Sequence, residues 1–510
     1  MRVAFSYIET FWPHARARGA EDRYGCVRLL ADLPLGLGSV RAYAQAVPGL
    51  AGRCVMENRV FTDGVRGPAA AAALLRTRPD VAAFGCYLWN LNAVLRACKA
   101  LKARQPGVRV VLGGPEVPRD PARLRDFLRG HSFVDCAIPG EGEVPFAGLL
   151  EAWLDGTAAE SVPGLALRRG NSALWTGAAR EVSDLGALPS PYLSGAVSVR
   201  PGAVGMVCLE TSRGCAGACV YCDYHAGRHT VRTFALDRLR GEVSALRRAG
   251  FAGTVYLTDP TLNADQDRAR RVLEVFRDWN GVLYLELSPE FLDPGTVAAL
   301  GRVPRVMLAL GIQSTHAPTL RSVGRPLDLE RSARNIRSLI AHPNVRVELE
   351  LILGLPGDDY DSFRESVGWA LRFSPAAQIT FFDLVVLPNA PLARMLDRFG
   401  IETDPEGLVR STRSFSAGDL VRASRLAAAY CRLRSEPERW AAFAAAAGSG
   451  GSPPALLEAE AARLLAEGAL PEGRLVGQGG RRLPGRPQRA KRWFDVAGGE
   501  RDVGAEGRWW

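Results

Sequence analysis

The sequence lacks any apolar run of about 18 residues, and it lacks the basic and then apolar pattern of a secretory leader. It opens instead with Arg-Val-Ala-Phe-Ser-Tyr-Ile at residues 2–8, which is the pattern of a short buried strand. A membrane-spanning helix needs about 20 consecutive apolar residues, and a leader needs a charged segment before its apolar one. We therefore expect a cytoplasmic protein that makes no membrane contact.

Lysine is almost absent, since arginine supplies all but three of the 64 basic residues. The formal net charge is +10. Many basic residues fall in a Gly- and Pro-rich tail, at Arg481, Arg482, Arg486, Arg489, Lys491 and Arg492. Such a segment is typically solvated and disordered, so nucleic-acid binding is the less favoured interpretation. The 510 residues and the apolar fraction of 47% predict an enzyme of two or three domains.

Three of the ten cysteines, Cys215, Cys219 and Cys222, form a Cys-x₃-Cys-x₂-Cys run directly after an apolar stretch at 204–209. Three thiolates at this spacing can bind three irons of one 4Fe-4S cluster and leave the fourth iron open. A Cys₃His zinc site completed by His225 or His229 is the alternative. The other cysteines lie in apolar stretches and are expected to be buried free thiols: Cys26, Cys54, Cys86, Cys98, Cys136, Cys208 and Cys431.

The run from Glu210 to Cys222 resembles the signature of the radical S-adenosylmethionine (SAM) enzymes. In that family the three cysteines hold the cluster, and the amine and carboxylate of SAM chelate the fourth iron. By the same resemblance Tyr221 would lie near the adenine. The resemblance implies that SAM is cleaved to a 5′-deoxyadenosyl radical, which abstracts hydrogen from an unactivated carbon.

Strand and helix patterns alternate through the first 155 residues, which predicts a Rossmann-like, doubly wound α/β domain with ligands at the carboxyl ends of its strands. Turn formation alone is the alternative explanation for the glycines at these ends. The ordered motifs also resemble the cobalamin-binding domain of cobalamin-dependent radical SAM enzymes. The resemblance implies cobalamin contacts at Leu35, Gly36, Tyr87, Trp89, Gly113, Gly114, Glu116, Gly140, Glu141 and Gly142.

One familiar cobalamin motif is missing. No Asp-x-His-x-x-Gly loop occurs, and His14 lacks the flanking Asp and Gly. We therefore expect cobalt to have no histidine ligand on its lower face, and we interpret His14 as a surface loop residue.

Residues 201–400 alternate again and predict a partial (β/α)6 barrel with its site on the carboxyl rim. Rim residues that resemble the SAM contacts of the superfamily are Thr258, Asp259, Glu286, Gln313, Arg325, Gly354 and Gly357. Arg325 is the candidate for the SAM carboxylate because a guanidinium matches a carboxylate in a bidentate manner. Helix caps and turns are the alternative roles for these polar residues.

The predicted boundaries are a cobalamin-binding domain at 1–155, a linker at 156–200, the barrel at 201–400, a small helical domain at 401–476 and a disordered basic tail at 477–510. Within the helical domain, residues 417–433 and 455–466 have the pattern of amphipathic helices.

The resemblance implies a methyltransferase that moves a methyl group from methylcobalamin to an unactivated carbon of a natural-product or peptide precursor. Three alternatives stay open: a non-methylating outcome such as ring contraction, oxidation or cyclisation; a methylthiotransferase with a second cluster on Cys26, Cys54 and Cys86; and a cobalamin sensor without catalysis. The expected partners are a small-molecule or peptide substrate and a flavodoxin or ferredoxin as electron donor. The expected oligomeric state is a monomer.

Overall fold

Two β-sheets flanked by helices organise the chain, and a cluster of helices follows them. The computed structural model describes residues 1–8, 33–61, 67–199, 206–224, 230–374 and 376–470. His14, Cys26, His225, His229 and the predicted basic tail lie outside the described residues.

The first sheet has seven strands in the order β2-β1-β3-β4-β5-β6-β7. Its strands are β1 (Arg2–Ile8), β2 (Val55–Phe61), β3 (Val81–Gly85), β4 (Arg109–Gly113), β5 (Cys136–Ile138), β6 (Ala166–Arg169) and β7 (Ser172–Trp175). The first five are parallel, and the strand order reverses between β1 and β3. In such a sheet the ligand crevice opens at this reversal, beyond the carboxyl ends of the strands.

Helices cover both faces of this sheet, as a doubly wound fold requires. They are α1 (Leu35–Ala46), α2 (Gly67–Leu75), α3 (Leu91–Arg104), α4 (Pro121–Gly130) and α5 (Glu143–Asp155). One core joins α2, α3 and α4 to the sheet, and a second core joins α1 and α5 to the opposite face. The predicted Rossmann-like architecture is confirmed.

Two short strands, β6 and β7, lie within the predicted linker at 156–200. These strands pair antiparallel with β5 and with each other. Both strands have only four residues, and only Ala166 and Leu167 become fully buried. So short a pattern carries little periodicity, which is why the sequence did not indicate it.

The second sheet has six parallel strands in the order β15-β14-β13-β12-β11-β8. The strands are β8 (Met206–Leu209), β11 (Thr254–Leu257), β12 (Val282–Leu287), β13 (Val306–Gln313), β14 (Val345–Leu353) and β15 (Ala377–Asp383), and a small hairpin pairs β9 (Ser212–Arg213) with β10 (Arg232–Thr233). The accompanying helices are α6 (Leu236–Arg248), α7 (Gln266–Val275), α8 (Pro294–Leu300), α9 (Ala317–Ser322), α10 (Leu329–Ile340) and α11 (Tyr360–Leu371). The predicted partial barrel is confirmed.

Alternation along the barrel strands separates two environments. On β12, Leu283, Leu285 and Leu287 are buried in the core shared with the helices. Tyr284 and Glu286 alternate with them and therefore point to the inside of the barrel. The inside is polar, so it is suited to holding ligands rather than to forming a second apolar core.

The C-terminal region begins with α12 (Leu396–Phe399) and a hairpin of β16 (Glu402–Thr403) and β17 (Val409–Ser411), followed by α13 (Ala417–Ser435), α14 (Pro437–Gly448) and α15 (Pro453–Ala466). Both predicted helices are present, and α14 is an addition to them. The Tyr430 hydroxyl on α13 accepts a hydrogen bond of 2.8 Å from the Ile379 amide, which fixes this helix to the outside of β15.

None of the helices described is both long and apolar enough to cross a membrane.

Candidate functional site

The cysteine loop, defined here as residues 210–224, connects β8 to the barrel rim. Cys215, Cys219 and Cys222 are free and only partly buried. Each sulfur has a nitrogen nearby: the Gly217 amide lies 3.3 Å from Cys215 Sγ, the Tyr224 amide lies 3.5 Å from Cys222 Sγ, and Arg325 Nη1 lies 4.0 Å from Cys219 Sγ. Such donors stabilise thiolates that bind metal.

Glycines allow this loop to fold closely around its sulfurs. A Cβ atom at position 217 would lie 3.3 Å from Cys215 Sγ and 3.9 Å from Cys219 Sγ, so both sulfurs turn toward the same point of the backbone. Gly324 has a φ of +70°, and a Cβ there would lie 2.4 Å from the Ala218 carbonyl oxygen. The backbone of the loop after α9 therefore touches the cysteine loop directly.

This arrangement fits an iron-sulfur cluster. Within the described parts of the chain, no group of three or more His, Cys, Asp or Glu side chains converges on one metal ion. A 4Fe-4S cluster requires no such convergence because each thiolate binds a different iron. Three cysteines with sulfur-directed donors and a glycine cradle match that requirement, and these three residues would hold three irons of such a cluster.

Asp259 holds the start of the cysteine loop. Its carboxylate is 1% exposed and accepts hydrogen bonds from the Thr211 amide at 2.9 Å, the Thr211 hydroxyl at 2.7 Å and the Ser212 hydroxyl. Burial raises the pKa of Asp259, and these donors oppose that shift. Neighbouring Thr258 is bonded to the Leu209 carbonyl at 2.9 Å through its amide. Asp259 therefore ties the segment after β11 to the cysteine loop, and Thr258 ties it to the end of β8.

Three other predicted SAM contacts are polar groups of the barrel, namely Glu286, Gln313 and Arg325, and the last two both lie beside Gly311. The Tyr256 hydroxyl donates to the Glu286 carboxylate, and burial raises the pKa of that carboxyl. Arg325 donates to the Gly311 carbonyl at 2.5 Å. Gln313 Oε1 and Arg325 Nε are buried and have no protein partner, which suits groups that contact a ligand.

Gln313 also has an unusual backbone. Its φ is +66°, in the left-handed region that a side chain rarely adopts. It stands at an irregularity in the pairing of β13 with β14, where the register shifts after Gly311. Strain of this kind persists where the surrounding structure requires it, and it is common at ligand sites.

The two rim glycines predicted to lie near adenine face protein atoms. A Cβ at Gly354 would meet the side chains of Leu420, Leu384 and Val409, and one at Gly357 would lie 3.1 Å from Thr319 Oγ1. Their φ values are +95° and +97°, which glycine adopts without strain. The turn conformation alone therefore explains why glycine stands at both positions. Tyr221 is partly buried beside Arg325 and Cys219, and desolvation raises the pKa of its hydroxyl.

Sequence reasoning missed a polar layer deeper in the barrel. Glu350 on β14 is paired in register with Thr380 on β15, and Glu348 is paired with Gln378. Burial, assisted by the negative charges of Glu286 and Glu348, raises the pKa of Glu350 to about 8. Thr380 Oγ1 and Gln378 Oε1 are buried without a partner. Polar residues at alternate positions of both strands were the signal that could have revealed this layer.

Tyr224, at the end of the cysteine loop, was also missed. Burial raises its pKa, and yet the residue is 47% exposed. Both observations hold for a side chain that has close protein neighbours on one side and is open to solvent on the other. Glu286, Cys208 and Cys222 are near enough to affect its hydroxyl.

An aromatic group stands at the strand reversal of the first sheet, where a ligand is expected. Tyr87 and Trp89 are stacked with ring centroids 5.0 Å apart, and Trp89 Nε1 donates to the Tyr7 hydroxyl at 3.0 Å. Fully buried Asn90 fixes their turn by accepting from the Tyr87 amide and donating to the Ile8 and Gly85 carbonyls. Trp89 remains 38% exposed, which leaves part of it accessible to a flat ligand.

The glycines predicted to contact cobalamin divide into two kinds. Beside Gly140 nothing lies within 4 Å of an added Cβ, and beside Gly113 only the Ile138 carbonyl oxygen does, at 3.7 Å. Gly114 and Gly142 instead pack against Cys86 and Val40. The open space above Gly113 and Gly140, at the carboxyl ends of neighbouring strands, fits the close approach of a bound nucleotide tail.

Leu35 and Gly36 begin α1, and an added Cβ at Gly36 would lie 3.6 Å from the Tyr87 hydroxyl.

The two predicted acidic contacts both face the barrel domain. Glu141 forms ion pairs with Arg232 and, at 3.6 Å, with Arg213. Burial and the charge of Asp223 raise the pKa of Glu116 to about 7.

Comparison with known proteins agrees with both halves of this site. The family model of the radical SAM superfamily matches residues 209–370, and the model of the B12 binding domain matches residues 54–150. The first match starts at the cysteine loop, and the second contains the aromatic group and the open glycines. The chain belongs to the cobalamin-dependent radical SAM enzymes, whose cofactors are a 4Fe-4S cluster, SAM and cobalamin.

Two curated relatives are similar over most of this chain. The 2-(S-pantetheinyl)-carbapenam-3-carboxylate methyltransferase of Streptantibioticus cattleyicolor is 30% identical over 406 residues, which are 74% of this chain and 57% of that protein. The cobalamin-dependent radical SAM methyltransferase TokK of Streptomyces tokunonensis is 30% identical over 403 residues, 73% of this chain and 56% of TokK. The chain thus spans just over half the length of each.

A solved structure shares the fold. The radical SAM methyltransferase TsrM of Kitasatospora setae, with cobalamin and a 4Fe-4S cluster bound, aligns with a TM-score of 0.58 over 79% of this chain and 76% of that chain, at 15% identity. At this identity the likeness concerns architecture, and it confirms a cobalamin-type domain followed by a radical SAM barrel.

Proposed function

We propose that this protein is a methyltransferase that moves a methyl group from methylcobalamin to an unactivated carbon of a small-molecule natural-product precursor. The observation that carries the proposal is that one residue of β8 lies close to both candidate cofactor sites. Cys208 on β8 lies near Tyr87, which belongs to the crevice of the first sheet, and near Tyr224, which ends the cysteine loop. A methyl donor and a radical source would therefore reach the same substrate.

When bound, the cofactors supply the difficult chemistry, which is radical generation and methyl donation. The residues of the chain bind and orient. Cys215, Cys219 and Cys222 would hold the cluster, and Gln313 and Arg325 present unpartnered polar atoms for SAM. Tyr87 and Trp89 offer an aromatic wall to cobalamin. The reaction needs no protein nucleophile, so the cysteines are ligands.

The substrate class rests on the relatives. Both are named methyltransferases, and one name specifies a carbapenam carboxylate. A carbapenam-like or other small natural-product precursor is the substrate class we propose, with a modified peptide as the second choice. We further propose that the protein acts as a cytoplasmic monomer with a flavodoxin or ferredoxin as electron donor. Cys54, Cys86, Cys98 and Cys136 are thiols outside any disulfide, which suits a reducing compartment.

The register of the first sheet argues against a methylthiotransferase with a second cluster. Cys54 stands just before β2 at the level of Met1, whereas Cys86 follows β3 at the level of Ile8. Seven residues of strand separate these levels, which is about 23 Å at 3.3 Å per residue. One cluster cannot bind thiolates so far apart.

The decisive experiment is anaerobic turnover with SAM, reductant, hydroxocobalamin and a panel of carbapenam and peptide precursors. We expect about four irons per chain, formation of 5′-deoxyadenosine, and a product heavier than its precursor by one methyl group. About eight irons would favour the methylthiotransferase, and a product without added methyl would favour a non-methylating outcome.

The matched control is the triple variant Cys215→Ala, Cys219→Ala, Cys222→Ala. It should lose the cluster and SAM cleavage and should still bind cobalamin, because the aromatic group and the open glycines belong to the other domain. SAM cleavage that persists in this variant would contradict the assignment of the cluster.

A further inference from the structure

Charged residues of the cobalamin-binding domain form ion pairs with the cysteine loop near both of its ends. At its carboxyl end, Arg119 Nη1 lies 2.5 Å from Asp223 Oδ1, and Asp223 directly follows Cys222. At its amino end, Arg213 Nη2 lies 2.8 Å from Glu143 Oε1, two residues before Cys215. The three cysteines lie between these two attachments.

Both attachments come from the loops expected to bind cobalamin. Arg119 follows β4, whose last residue is Gly113, and Glu143 follows the open Gly140 beyond β5. Asn389 fixes the first of these loops, since it accepts from the Arg119 amide at 2.7 Å and donates to the Pro115 carbonyl at 2.7 Å. A ligand that orders either loop would therefore act on the cysteine loop through short and direct contacts.

The amino-terminal attachment is a buried network. Arg213 is also 2.9 Å from Glu210, and the side chains of Arg213, Glu143 and Glu210 are 14%, 5% and 10% exposed. On the strand paired with β9, Arg232 binds Glu141. Buried charges of this kind hold a defined geometry because a displaced partner leaves an uncompensated charge.

We propose that Arg119 and Arg213 are positioning residues that couple the two cofactor sites, so that cobalamin binds more tightly when the cluster is present and the cluster is held more firmly when cobalamin is present. Coupling between two sites is necessarily reciprocal and is commonly 5- to 150-fold. Since two ion pairs carry it here, we expect a factor of about ten. The inference rests on the assigned cofactors and is independent of methyl transfer.

The test measures the dissociation constant of hydroxocobalamin by absorbance, in cluster-loaded protein and in protein freed of iron by chelation. For the wild type the ratio of the two constants should be about ten. Arg119→Leu should lower this ratio to about two while leaving the affinity of the cluster-free protein nearly unchanged. In a second readout, cobalamin should slow iron loss to a chelator in the wild type and much less in Arg119→Leu.

Arg394→Leu is the matched control. Arg394 also crosses between the domains, at 3.2 Å from Asp120, but its side chain is 72% exposed and its ion pair is with α4's cap rather than with the cysteine loop. This variant should keep the wild-type ratio. If Arg119→Leu fails to fold, Asp223→Asn removes the same ion pair from the other side and should give the same loss.

Three results would overturn the inference: a wild-type ratio near one, an unchanged ratio in both Arg119→Leu and Asp223→Asn, or an equal loss in Arg394→Leu. If hydroxocobalamin binds neither form of the wild type, the cofactor assignment fails as well. Binding with a ratio near one overturns the coupling alone.

Discussion

Asp259→Ala should weaken the barrel and the cluster site together. The Asp259 carboxylate is 1% exposed and accepts from the Thr211 amide, the Thr211 hydroxyl and the Ser212 hydroxyl. Alanine leaves these donors without an acceptor, and Thr211 is itself 1% exposed. Water cannot easily replace the lost partner at so buried a place, so the cysteine loop should loosen at its start.

The size of the effect follows from the three hydrogen bonds. Bonds to charged groups contribute about 1.5–3 kcal/mol each, and neutral ones about 1 kcal/mol. Burial raises the pKa of Asp259, which shows that desolvation offsets part of the gain. We therefore take about 1 kcal/mol per bond, or roughly 3 kcal/mol in total. For a domain of this size that corresponds to a fall in melting temperature of roughly 6–12 °C.

The assay is thermal unfolding of cluster-free protein followed by circular dichroism, together with iron per chain after anaerobic reconstitution. Asp265→Ala is a suitable control because it removes only the cap of α7, the 2.9 Å hydrogen bond from the Arg268 amide, and leaves in place the hydrogen bond from the Arg268 guanidinium to the Thr211 carbonyl of the cysteine loop. Loss of a cap costs about 1 kcal/mol, and iron content should stay at the wild-type value. Asp259→Asn should fall between the two.

One result would refute this reasoning. If Asp259→Ala melts within the range of the Asp265 control and retains full iron but loses SAM binding, Asp259 acts on SAM directly. The sequence-based interpretation of this residue as a contact of the methionine amine would then be preferred to its role as a support for the loop.

Two further predictions concern Glu350 in the barrel and two glycines of the cobalamin-binding domain. Burial raises the pKa of Glu350 from 4.5 to about 8, so its contribution to stability is complete below about pH 4.5 and declines as the pH rises toward 8. Glu350→Gln should remove this decline, which amounts to a few kcal/mol at about 1.4 kcal/mol per pH unit. The free energy of unfolding of both proteins is measured between pH 5 and 8.5, and parallel pH dependences would contradict the prediction. Gly114→Ala should destabilise the cobalamin-binding domain far more than Gly140→Ala. A Cβ at position 114 would lie 2.6 Å from the Cys86 carbonyl oxygen, whereas a Cβ at position 140 would meet no atom within 4 Å. Equal melting temperatures of the two variants would show that the turn at Gly114 can relax.

Several features could be predicted from local pattern alone. The spacing of Cys215, Cys219 and Cys222 determines that they lie on one short loop, and the alternation of apolar stretches predicts two parallel sheets. Both inferences work because periodicity and close spacing report the burial and position of a residue relative to its own neighbours in the chain. β6 and β7 were too short for this signal.

The partners of the site residues depended on contacts between distant segments. Asp259 and Thr211 are 48 positions apart and meet because β11 pairs with β8. Glu350 and Thr380 become neighbours through the register of β14 and β15. A sequence motif shows that a polar group follows a strand, but it cannot show which group faces it across the sheet.

The glycines illustrate the same division. The sequence by itself determined that Gly140 and Gly354 each follow a strand and form a turn, since glycine accepts the φ values of +80° and +95° without strain. Only the tertiary structure decided that the space beside Gly140 is open to a ligand, whereas the space beside Gly354 is filled by Leu420 and its neighbours. Backbone conformation is a local property, and open space is set by whatever the rest of the chain brings close.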